Sequence, residues 1–166
     1  MPLLRRPLCF RHSVLLLLVL RPTFIFAFGS MASKSFIDKL ALVLVSNRRQ
    51  LVVRSKGKVA FFTPGGKREP GESDEDALCR ECKEELTIDL KLPSIEPYGV
   101  FQAQAFGKPE GTMVRMTCFS ADFEGELRCS SEIEEMAWIG SDFPPEKLTV
   151  TGIMILEDLK ARNLVD

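Results

Sequence analysis

The segment from Gly66 to Ile88 constrains this chain more than any other. It follows a stretch rich in glycine and proline, Thr63-Pro64-Gly65-Gly66-Lys67-Arg68-Glu69-Pro70-Gly71-Glu72, and passes at Ser73 into a run of helical periodicity. Ser73 followed by Asp74, Glu75 and Asp76 reads as a helix start, because a hydroxyl caps the free amides and acids favour the positive end of the helix dipole. The spacing predicts a helix from Asp74 to Leu86. Within it Leu78, Cys82 and Leu86 recur every four residues and form one stripe facing a core.

Glu81, Glu84 and Glu85 fall on an adjacent stripe of the same helix. Residues at i, i+3 and i+4 leave one face from neighbouring turns, so the three carboxylates are expected to converge within a few ångströms. Such a cluster repels itself, raises its own pKa values and invites a hard cation that prefers oxygen ligands. The loop in front can turn backbone carbonyls toward that cation, since glycine lets the main chain approach closely. Lys67 and Arg68 are expected to hold phosphate oxygens. The plainer reading, a solvated helix face paired with Arg80 and Lys83, leaves the glycine loop unexplained.

Around this segment the chain alternates short strands with two helices. Lys39 to Ser46 and Gln50 to Arg54 read as strands joined by the turn Asn47-Arg48-Arg49, and Val59 to Thr63 as another short strand. Tyr98 to Phe106 and Met113 to Phe123 alternate like a pair, with Gly107 to Gly111 turning between them, and Met136 to Ile139 adds one more strand. After Pro144-Pro145, Ile153, Leu156, Leu159 and Leu164 lie at near-helical spacing and predict a closing helix from Thr149 to Arg162. Strands interleaved with two helices imply an α/β sandwich with a mixed sheet in its middle layer. The aromatic residues Phe61, Phe62 and Trp138 sit within strands and are read as core, with stacking on a base as the alternative.

Gly66, Glu72, Arg80, Glu81, Cys82, Glu84, Glu85 and Ile88 match the pattern G-x5-E-x7-R-E-U-x-E-E-x-G-U, with U apolar. On these residues the chain resembles the Nudix hydrolases. The resemblance implies an α/β/α sandwich and a Mg²⁺-dependent reaction, Mn²⁺ being able to substitute. It implies that Glu81, Glu84 and Glu85 ligate the metal, that the Gly65 carbonyl joins them, and that Glu72 and Arg80 brace the carboxylates. Family members also draw a catalytic carboxylate from a loop outside the pattern, for which Glu132 is the first candidate and Glu110 and Glu134 are weaker ones. One departure stands out: Thr87 takes the place of the second glycine, and a β-branched residue resists the positive φ that ends a helix there.

The reaction the resemblance implies is hydrolysis of the diphosphate in a nucleoside diphosphate derivative. The final Asp142-Phe143-Pro144-Pro145 resembles the MutT-like group and makes a (d)NTP, oxidised ones included, the first choice of substrate, with a nucleoside monophosphate and pyrophosphate as products. That group reads oxidised guanine with an asparagine shortly after the double proline, where Glu146, Lys147 and Leu148 stand here. ADP-ribose or a nucleotide sugar is the alternative substrate, and a Nudix-like module that binds a nucleotide or protein without turnover is the alternative of another class.

Other chemistries fit poorly. Gly65-Gly66-Lys67 lacks the spacing of a P-loop, because Arg68 follows the lysine. Cys79 and Cys82 form a C-x-x-C without a second pair, and the one histidine, His12, lies far from them, so zinc is not expected. Cys9, Cys79, Cys82, Cys118 and Cys129 are an odd number without disulfide spacing and are read as thiols. The formal charge of −1 is spread unevenly, with Arg5, Arg6, Arg11 and Arg21 ahead of the first acid, Asp38. The mildly acidic body after them carries no basic stripe of the kind a nucleic-acid polymer requires.

Residues 1–31 read as a targeting-like segment or as the product of a mis-assigned start, and 36–166 as the Nudix domain. Basic residues precede the apolar run Val14 to Leu20, but Arg21-Pro22 interrupts it short of the roughly 20 apolar residues a membrane helix needs. A secretory signal, an organelle transit peptide and a start at Met31 with a cytosolic product stay open.

Overall fold

In the computed structural model, residues 35–166 are described. The expectations for residues 1–31, and Cys9 and His12 with them, lie outside this range.

The chain opens with β1 (Ser35–Leu42), β2 (Val45–Ser46) and β3 (Arg49–Ser55), followed after the glycine loop by α1 (Asp74–Leu86). Next come β4 (Asp89–Leu90), β5 (Glu96–Gln104), β6 (Thr112–Ser120), β7 (Phe123–Glu124), β8 (Ile133–Ile139) and α2 (Val150–Ala161). One sheet has the order β1-β6-β5, in which β1 runs parallel to β6 and β5 antiparallel to it. A second has the order β2-β3-β8 and is antiparallel throughout, and β4 pairs with β7 as a short ribbon.

Alternation along the strands sorts the core into two layers. Leu40, Leu42, Leu51 and Val53 pack with Leu78, Cys82 and Leu86 of α1. Ala41, Val43 and Val52, their neighbours on the other face, pack with Ile155, Leu156 and Leu159 of α2. A strand buried on both faces must be apolar at nearly every position, which is why Leu40 to Val45 reads as an unbroken hydrophobic run. The expected α/β/α sandwich with a mixed sheet is the architecture observed.

Both helices have the expected extents. Ser73 Oγ accepts from the Asp76 amide at 3.1 Å to cap α1, and Thr149 accepts from Gly152 at 3.2 Å to cap α2. Thr87 ends α1 in the left-handed conformation at φ 63°, where a glycine is expected. Its amide closes on the Lys83 carbonyl at 3.1 Å and its hydroxyl donates to the Glu126 carbonyl at 2.9 Å. That second bond offsets part of the penalty a side chain pays there, of order 1–2 kcal/mol.

Three sequence expectations need correction. Val59 to Thr63 is not a strand: it is extended, and single bridges tie Phe62 to Val53 and Phe61 to Leu148 before Pro64 turns the chain away. The first expected strand is two, because pairing with β6 stops at Leu42 and a separate hairpin begins at Val45. Its turn residues Asn47 and Arg48 both have positive φ, the geometry a two-residue hairpin demands. Trp138 is not core but 38 % exposed, since it lies on β8, an edge strand. The parallel β1–β6 pairing, which makes this sheet mixed, carries no local sequence signature.

Among the described residues no helix is long and apolar enough to cross a membrane. Cys79, Cys82, Cys118 and Cys129 are all free thiols.

Candidate active site

Between the glycine loop, the β5–β6 hairpin and the start of α2 lies a cavity of about 660 Å³. The loop is laid along β1 by alternate carbonyls: Leu42 N–H donates to Pro64 O at 2.9 Å and Leu40 N–H to Gly66 O at 2.8 Å. The Gly65 carbonyl between them accepts no hydrogen bond among the described residues. Gly65 has φ 130°, and a Cβ there would overlap the Leu40 carbonyl oxygen. A Cβ on Gly66 would overlap the Glu81 carboxylate. The two glycines are thus required by close approach, one against the strand and one against an acid.

Arg80 locks the loop to α1. Its guanidinium donates to Glu72 at 2.7 and 2.9 Å, to the Lys67 carbonyl at 3.0 Å and to Glu81 at 3.0 Å. Hydrogen bonding to Arg80, and then to the Glu69 amide, holds the Glu72 carboxyl down to about 2. The brace expected of Glu72 and Arg80 is therefore in place as geometry.

The three carboxylates of α1 do not converge. Glu85 is 2 % exposed and accepts from the Gly65 amide at 2.8 Å, and Glu81 lies against Gly66. Glu84 is exposed, turned out toward Arg80 at 3.5 Å and away from the cavity. Among the described residues no three acidic, histidine or cysteine side chains are gathered as a ready-made metal cage. Arg80 bridges Glu81 and Glu84 from one guanidinium nitrogen, so Glu84 is held beside Glu81 on the solvent side of the helix while Glu81 and Glu85 line the cavity.

Glu132 completes the acidic side of the cavity. The loop carrying it is pinned from two sides: Ser130 N–H bonds Glu85 O at 3.0 Å, and Lys56 N–H bonds Glu132 O at 2.9 Å. Of the weaker candidates, Glu134 pairs with Arg54 at 3.1 Å and Glu110 is exposed on the hairpin, neither lining the cavity. Lys67 lines it, but Arg68 does not: its side chain is committed to Asp74 in the first turn of α1 at 2.5 Å.

The environments of Glu85 and Glu132 push their acidities apart. Burial, reinforced by Glu132 and Glu81, raises the Glu85 carboxyl to about 8 despite the Gly65 hydrogen bond. Hydrogen bonds from Ser131 and its own amide, helped by Lys39 and Lys56, hold the Glu132 carboxyl below the usual range. At neutral pH Glu132 is ionised, whereas Glu85 becomes fully so only with a cation beside it. The donor set of Glu81, Glu85 and the free Gly65 carbonyl is all oxygen, which suits a hard divalent ion.

Several cavity residues escaped the sequence reading. Gln104, Phe106, Val150 and Thr151 line the cavity, as does Phe62, half-buried and in keeping with the alternative to its core reading. Lys39 also lines it. Its one signal was a charge interrupting the alternation of Ile37 and Ala41 in an otherwise apolar strand face.

The model of the NUDIX domain matches residues 38–152. The chain belongs to the Nudix family. It is 38% identical over 115 residues to the NAD-capped RNA hydrolase NudC of Pseudomonas fluorescens, a match covering 66% of this chain and 39% of that protein. The chain thus spans about two fifths of the length of that curated relative. Its fold is similar to the crystal structure of a MutT Nudix hydrolase from Burkholderia pseudomallei, with a TM-score of 0.63 at 26% identity, covering 74% of this chain and 97% of that one. The solution structure of the E. coli ORF135 protein is also similar, with a TM-score of 0.58 at 26% identity, covering 83% of this chain and all of that one.

Proposed function

We propose that this chain is a divalent-cation-dependent pyrophosphohydrolase that cleaves the diphosphate linkage of a nucleoside diphosphate derivative. The observation that carries the reading is the pair Glu85 and Glu132 at one cavity, one carboxyl pushed up and the other held down, beneath a glycine loop with an unused carbonyl. Mg²⁺ is the cofactor of choice for these oxygen donors, with Mn²⁺ able to serve in its place. Glu81, Glu85 and the Gly65 carbonyl would hold it, joined by Glu84 when that side chain turns in from Arg80. When bound, such a cation neutralises the diphosphate and acidifies a coordinated water.

The protein groups do the rest. Glu132, ionised at neutral pH, accepts the proton of the attacking water, in keeping with a base positioned beside the reacting group. Lys67 orients phosphate oxygens, and the Arg80 brace keeps the loop and the helix in register. Phe62, Phe106 and Val150 offer apolar surface to the base.

A (d)NTP, oxidised forms included, is the first substrate to test, giving a nucleoside monophosphate and pyrophosphate. The resemblance to NudC supports a second reading, in which the diphosphate joins two nucleotides or a nucleotide and a sugar, as in ADP-ribose. Product analysis across (d)NTPs, oxidised dGTP, ADP-ribose and dinucleotide diphosphates, with and without Mg²⁺, decides between them. Hydrolysis of none of these by a folded, Mg²⁺-supplied protein sinks the catalytic reading in favour of a binding module.

A further inference from the structure

Lys39 is the charge that the fold does least to explain. It lies on the face of β1 that carries Ile37 and Ala41, opposite Met116 of β6, where its neighbours are apolar. Its side chain is half-buried and lines the cavity. Yet its ammonium has no hydrogen-bond or salt-bridge partner among the described residues; the nearest recorded interaction is with the ring of Phe62, 6.0 Å from the centroid. A cation that far from a ring gains too little to keep a half-buried charge in place on this strand.

Its surroundings say what it is for. The next residue, Leu40, bonds the Gly66 carbonyl, so Lys39 and Lys67 stand on either side of the same loop contact. Lys58 and Lys108 also border the cavity, but they are exposed and sit on turns. Lys39 faces the carboxylate side: its charge works against protonation of both Glu85 and Glu132. An anion entering that region meets three acids, Glu81, Glu85 and Glu132, and needs a fixed positive group among them. We infer that Lys39 is a catalytic residue that grips the diphosphate of the substrate from β1, next to the glycine loop. The inference deepens the pyrophosphohydrolase reading and rests on it for the identity of the anion.

The two ligands of the site give opposite signs for Lys39, which separates this role from a structural one. With the full-length protein, calorimetry with methylenediphosphonate in the absence of divalent cations measures the diphosphate, and titration with Mn²⁺ alone measures the metal. Lys39→Met is expected to weaken methylenediphosphonate binding by about 10- to 100-fold, the loss of one charge-assisted contact. The same variant binds Mn²⁺ more tightly, because a positive charge beside Glu85 and Glu132 is gone. Lys39→Arg keeps diphosphonate binding within about threefold, and Lys108→Met moves neither ligand by more than about twofold. Unchanged diphosphonate binding in Lys39→Met, or weakening of both ligands together, overturns the assignment, as does failure of the unmodified protein to bind the diphosphonate. The opposed pattern without hydrolysis of any nucleotide leaves Lys39 as a diphosphate ligand and removes the catalytic reading instead.

Discussion

At the end of the cavity formed by Gly65, Gly66 and α1, side chains are tied down by one another: Glu85 to the Gly65 amide, Glu81 and Glu72 to Arg80. At the other end, formed by the β5–β6 hairpin and the start of α2, the lining is loosely committed. Val59, Phe106 and Val150 are 79, 55 and 43 % exposed. Gln104 spends both ends of its amide on its own hairpin, donating to Pro109 O at 2.8 Å and accepting from Gly111 at 3.0 Å. The contrast teaches where each part of the function resides. Chemistry needs fixed charges at fixed distances, whereas recognition of a base can be met by exposed apolar surface that different side chains supply equally well.

The largest effect that would break or sharpen this contrast comes from the acids of the rigid end. Glu85→Gln and Glu84→Gln are both expected to lower turnover by about a hundredfold or more with the fold intact, as loss of a metal ligand does. Steady-state rates alongside circular dichroism check this. A Glu84→Gln rate close to that of the unmodified protein would mean that Glu84 stays on Arg80 throughout the reaction. Gly66→Ala comes next, because its methyl would displace the Glu81 carboxylate. It is expected to cost roughly tenfold or more in kcat/KM, about 1.4 kcal/mol of transition-state stabilisation.

The loose end should respond differently. Phe106→Ala is expected to change KM for one nucleotide relative to another by a few-fold while kcat holds, the signature of lost uniform binding. Equal losses in kcat would place the hairpin in the chemistry and erase the distinction between the two ends.

Stability offers a test free of substrate. The Glu85 carboxyl is raised from its usual 4.5 to about 8 by burial. Its contribution to the metal-free protein is therefore complete below the unfolded value and is lost as pH rises through the folded one. Thermal midpoints measured in chelator should fall from about pH 5 to about pH 8.5, and Glu85→Gln should flatten that fall. The smallest effect belongs to Thr87→Gly, which relieves the left-handed strain but forfeits the bond to Glu126. Its net change in stability, read by chemical denaturation, is expected to stay within about 1 kcal/mol.

Much of this was legible before the fold was known, wherever the signal was local. The cap at Ser73, the stripe of Leu78, Cys82 and Leu86 and the extents of both helices follow from neighbours a few residues apart in the chain. So does the association of Glu72 with Arg80, which repeats a pattern the chain shares with its family. Less legible were features made by distant segments. Lys39 was passed over as the first residue of a strand, Trp138 read as core because sequence does not show which strand forms an edge, and Phe62 because its segment read as a strand.

By itself, the sequence determined the reaction end: a glycine loop, a capped helix and an acidic face on one short segment, fixed by backbone periodicity. Only the tertiary structure decided that Glu84 stands outside the cavity that Glu81 and Glu85 line, that Glu85 is buried to the point of losing its ordinary acidity, and that Lys39 reaches the same cavity from a strand paired in parallel with β6. The physical reason is that burial and electric field depend on what the rest of the chain places around a group, and no spacing along one segment encodes it.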